Sequence, residues 1–62
     1  MTEYDLEQAI DSTSLSHILE TLATICAEKG DHIRTNWGDK VTARQWERMA
    51  HRLTKLIDKC EV

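Results

Sequence analysis

The residues best suited to chemistry in this chain are histidines, carboxylates, cysteines and a run of arginines. Glu28–His32 and Glu47–His51 are each spaced i,i+4, which places both groups of a pair on one helix face. An imidazole beside a carboxylate is a metal-binding pair. In a helical hairpin, however, His32 and Glu47 project to opposite flanks and His51 points away from the core. The Glu-x-x-His spacing of bundle di-iron sites is absent, so the pairs read as solvated helix faces.

Cys26 and Cys60 lie on apolar stripes without a histidine beside them. Burial raises a thiol pKa and suppresses nucleophilicity, so both read as small core residues. No phosphate loop, Ser/His/Asp triad, zinc-finger spacing or dinucleotide fingerprint is present. No residue is therefore assigned a catalytic, cofactor-binding or metal-ligating role.

Two features point outward. Arg44, Arg48, Arg52, Lys55 and Lys59 recur every three or four residues, roughly opposite an apolar stripe. Such a row suits a solvated face, a protein partner (including the acidic first helix of a neighbouring subunit) or nucleic-acid phosphates. The second feature is the mixed segment 28–37. Tryptophan and arginine anchor interfaces more often than other residue types. Arg34, Asn36, Trp37 and Asp39 therefore form the first-choice partner patch if Trp37 is not buried against Trp46. The alternative is that Trp37 plugs the end of the bundle and Asn36 caps the helix.

The elements that carry these residues are helical. The chain holds no Pro and two Gly, the residues that break or weaken helices. The clearest helix spans about 43–60. Thr42 and Gln45 fit a capping box, Val41 and Trp46 its hydrophobic staple. Trp46, Met49, Ala50, Leu53, Leu56, Ile57 and Cys60 then form one stripe. A second helix spans about 14–36, with Ser12, Thr13 or Ser14 as N-cap. Its stripe of Leu15, Ile18, Leu19, Leu22, Ile25, Cys26, Ile33 and Trp37 continues past Gly30. Glycine inside a helix costs about 1 kcal/mol relative to alanine, so a packing reason is expected there. Gly38 suits a left-handed turn, making an antiparallel hairpin. A short N-terminal helix is expected at about 3–10.

Mirroring the hairpin between 36 and 43 pairs residues whose numbers total about 79. Ile33 then lies near Trp46, and Leu22 near Ile57. Cys26 and Cys60 fall about 10 Å apart along the axis, too far for a disulfide. One flank carries the small residues Ala23, Gly30, Ala43, Ala50 and Thr54. The other carries Glu28, His32, Gln45 and Arg52, and a Glu28–Arg52 ion pair is expected.

Length and charge bound the rest. Sixty-two residues with 40% hydrophobic composition make a single helical domain, 1–62, too small for an ordinary pocketed enzyme. No apolar run approaches the roughly 20 residues of a membrane span. The acidic start does not resemble a secretory signal, so the cytoplasm is the expected location. Residues 1–31 hold seven acids and one base, and residues 32–62 seven bases and four acids. The net charge of −3 thus conceals an acidic half and a basic half.

A hairpin alone cannot cover Leu19, Leu22, Ile25, Leu53, Leu56 and Ile57, and the first helix adds only Leu6, Ile10 and Tyr4. The expected fold is all-α and dimeric, a four-helix-bundle-like assembly, with a three-helix monomer as the alternative. The expected function is a non-enzymatic helical protein–protein interaction module (an adaptor, regulator or inhibitor) that uses no cofactor and no membrane. Arg34, Asn36, Trp37, Asp39, Arg44, Arg48 and Arg52 face its partner. The alternative is a nucleic-acid-associated regulator using the basic face of the last helix.

Overall fold

A computed structural model describes Met1–Val62. The chain is all-helical: α1 (Glu3–Ser12), α2 (Leu15–Asn36) and α3 (Lys40–Lys59). Local chemistry sets each boundary. Thr2 caps α1 by accepting from the Asp5 N–H, while the Asp5 carboxylate accepts from the Thr2 N–H. This reciprocal box, with Glu3 and Asp5 in the first turn, satisfies free N–H groups and suits the positive end of the helix dipole. The expected end at about residue 10 extends to Ser12. There the Ser12 and Thr13 hydroxyls donate back to the Gln8 and Ala9 carbonyls, and the Thr13 N–H closes the helix on the same Ala9 carbonyl. Ser14 is the N-cap of α2, accepting from the His17 N–H.

The start of α3 corrects the sequence reading. Asp39, not Thr42, is the N-cap. Its carboxylate accepts from the Thr42 N–H at 3.1 Å and the Thr42 hydroxyl at 2.7 Å. Thr42 is thus a capped residue rather than the cap, and α3 begins at Lys40 rather than 43. Val41, the expected staple, is mostly exposed. Gly38 takes φ +67°, the left-handed turn conformation open to glycine.

This earlier start moves the register. Helices ending at Asn36 and starting at Lys40 mirror about Gly38, so facing residue numbers total nearer 76 than 79. The expected Glu28–Arg52 pair does not form. The ion pair of the hairpin is Arg34–Glu47 at 2.6 Å.

Gly30 is packed directly against α3. A Cβ built on it would stand 3.1 Å from the Ala43 carbonyl oxygen and 3.2 Å from the Glu47 Cγ. Here is the packing reason for glycine inside a helix. Ala43, opposite, is 0% exposed. Ala23, Gly30 and Ala43 are the only buried residues, and no large side chain is fully buried. At the other end of the hairpin, the Val62 carbonyl accepts from both the N–H and the hydroxyl of Ser16. The short α1 packs only on α2 and does not reach α3.

The result is elongated and flat, 38 × 26 × 13 Å with a Cα radius of gyration of 13.3 Å. A compact chain of this length has a radius of about 11 Å. The accessible surface is 5077 Å², against about 4100 Å² expected for a folded monomer of this mass.

Candidate interaction surfaces

Three surfaces carry the residues singled out by the sequence. The first is the turn end of the hairpin. Trp37 is 76% exposed and does not plug the bundle. Its N–H closes α2 on the Ile33 carbonyl. The other three members of the patch have work within the chain. Arg34 is held by Glu47. Asn36 bonds the His32 ring nitrogen at 2.9 Å and donates to the His32 carbonyl. Asp39 caps α3. The Thr42 hydroxyl and the Thr42 N–H hold the Asp39 carboxyl below the ordinary aspartate range, opposed by desolvation and aided least by the Val41 N–H. Stabilisation of the carboxylate by donated hydrogen bonds produces that direction. Trp37 is the member left free.

The second surface comprises the two long sides of the hairpin, each an open groove. On one side Ala23, Ala27, Ala50, Thr54 and Ile57 line a groove of about 520 Å³, edged by Glu20 and Asp58. It holds Ala23, Ala50 and Thr54 of the small-residue flank read from the sequence, whereas Gly30 and Ala43 of that flank lie buried between the helices. On the other side Ile25, Glu28, Lys29, His32, Ile33 and Trp46 line a groove of about 490 Å³. Ile33 and Trp46 share this groove, while Gly30 is the α2 residue packed on the Trp46 Cβ. The Lys29 ammonium lies 5.7 Å from the centre of the Trp46 ring, a cation–π arrangement. The sequence reading missed this contact. The signal available was Lys29 interrupting the apolar stripe of α2.

The apolar seam divides between these environments. Leu19, Leu53 and Ile57 are half-buried. Leu22, Ile25 and Leu56 are 43%, 42% and 51% exposed, and Met49 is 44% exposed. Leu22 precedes Ile25 by three residues, and Met49 and Leu56 follow Trp46 at i+3 and i+10. Helical spacing therefore puts all four on the Lys29–Trp46 side, as one row of uncovered apolar side chains.

The third surface is the outer face of α3. Arg44, Arg48, Arg52, Lys55 and Lys59 are all exposed, and none is paired with a carboxylate. Of the acids on this helix, Glu47 is taken by Arg34 and Asp58 edges the small-residue groove.

The residue types able to do chemistry remain scattered. No three His, Cys, Asp or Glu side chains come together as a metal site would require. Cys26 and Cys60 are free thiols, each half-buried. No helix is long and apolar enough to cross a membrane. The chain matches no protein family, no curated protein and no solved structure.

Proposed function

We propose that this chain is a non-enzymatic helical interaction module that pairs with a second copy through its apolar side. The pair presents the turn around Trp37 to a protein partner. One observation carries the reading: the accessible surface, 5077 Å², exceeds that of a typical folded monomer of this mass. The excess over a folded monomer of equal mass is about 1000 Å², close to the roughly 800 Å² that each partner contributes to a standard interface. The uncovered row of Leu22, Ile25, Met49 and Leu56 supplies apolar area of the kind that association removes from water.

Thermal melting at several concentrations tests this reading. A folded dimer unfolding to monomers has a midpoint that rises with concentration. Wild type should show that rise, and Leu53→Asp, which places an unpaired charge in the seam, should abolish the folded dimer. A concentration-independent midpoint would contradict the proposal.

A second reading has one specific observation in its favour, the unpaired basic side chains of α3. In it the protein is a small nucleic-acid-associated regulator. Duplex binding that weakens steeply with salt, and is lost on reversal of Arg44, Arg48 and Arg52, would favour it. Absence of binding at low salt would remove it.

A further inference from the structure

The chain carries two matching rows of opposite charge that never meet within one molecule. On α1, Glu3, Glu7 and Asp11 stand at i, i+4 and i+8, and this helix contains no base. On α3, Arg44, Arg48 and Arg52 repeat the same spacing. At 1.5 Å per residue each row runs about 12 Å. All six side chains are exposed. None is engaged: the ion pair of the chain is Arg34–Glu47, and the cap of α1 uses Asp5. Because α1 packs on α2 alone, the rows have no route to each other inside one copy.

We propose that the basic row of α3 receives the acidic row of α1 from a second copy. This rests on the self-association proposed above and specifies its arrangement. In a two-fold pair the contact occurs twice, because each copy offers both rows. Exposed ion pairs contribute little individually. The rows therefore set orientation and partner choice, while the apolar seam supplies the holding force. A polyanion is the other ligand such a row accepts. The net charge of −3 opposes a polyanion, whereas an acidic α1 accompanies every copy of the chain.

Charge exchange tests the arrangement. One variant carries Glu7→Lys and Asp11→Lys, the other Arg48→Glu and Arg52→Glu. These exposed positions leave both N-caps intact, and circular dichroism reports the helix content. Dimer dissociation constants are measured at about 50 mM salt, where the Debye length is still above 10 Å. Each variant alone should dimerise about tenfold more weakly. An equimolar mixture, and a chain carrying all four changes, should recover to within about threefold of wild type, because both restore opposite signs across the contact. A milder pair, Glu7→Gln and Asp11→Asn, should weaken dimerisation by about threefold while leaving the helix intact.

Three results would overturn the arrangement. One is variants that dimerise like wild type. Another is weakening that neither the mixture nor the combined chain repairs. The third is duplex DNA binding lost on Arg48→Glu/Arg52→Glu with dimerisation unchanged, which would give the row to nucleic acid. A wild type that is monomeric throughout would be a different failure, since it removes the self-association itself.

Discussion

Gly30 shows how much of this fold depends on a single absent methyl group. Helix propensity alone favours alanine there by about 1 kcal/mol. The Ala43 carbonyl and Glu47 Cγ, however, leave a Cβ only 3.1 and 3.2 Å of room, and the carbonyl belongs to the backbone of a packed helix. Crowding of this kind costs about 1–3 kcal/mol. Gly30→Ala should therefore lose about 1 kcal/mol in chemical denaturation; a gain of that size would show that the helices separate freely at this point. Asp39 offers a second test at the same scale. Hydrogen bonds from Thr42 lower its pKa in the folded chain. A depressed carboxyl pKa stabilises the fold above the unfolded value, and the effect is lost as pH falls through the folded value. Asp39→Ala should lower the melting midpoint at neutral pH. The gap from wild type should narrow once pH drops below the ordinary aspartate range. A gap that stayed constant into strong acid would contradict the capping role.

The elements were largely legible from hydrophobic spacing, because the α2 and α3 stripes run for several turns. Gly30 and Gly38 were legible for the same reason: each interrupts a pattern that otherwise demands a different residue. The start of α3 was not. Asp39 and Thr42 are both good caps, standing three residues apart, and sequence alone does not say which of them accepts and which donates. Choosing Thr42 displaced the mirror point of the hairpin. The ion pair was misplaced separately: Glu28–Arg52 and Arg34–Glu47 stand at nearly the same register, and mirror pairing does not say which side chains reach each other. The work of the patch residues within the chain was not legible for a related reason. Arg34, Asn36 and Asp39 look free in a linear reading, yet each satisfies a neighbour within one turn or across the hairpin. Long side chains such as Lys29 choose partners by rotamer and local geometry, which periodicity does not encode. At this scale the turn makes a prediction. Gly38 holds φ +67° with open space around it. Gly38→Ala should thus cost about 1 kcal/mol through backbone strain alone, and Gly38→Asn should cost less, as asparagine tolerates that region. Equal stability of all three chains would mean that the turn adopts another conformation.

At the scale of the whole molecule, size and shape explain each other. A chain of 62 residues lacks the length to wrap its own apolar stripes. Two long helices pack through small residues at one end, and the short third helix covers part of α2 only. What remains is a flat hairpin with leucine, isoleucine and methionine at its surface and its charges divided between α1 and α3. Domains close a core by placing one layer on another, and in the proposed pair a second copy supplies the missing layer with the same surface. Sedimentation equilibrium at micromolar concentration tests that claim directly. The account predicts a mass about twice the 7.2 kDa of the chain, and a mass of one chain at that concentration would contradict it.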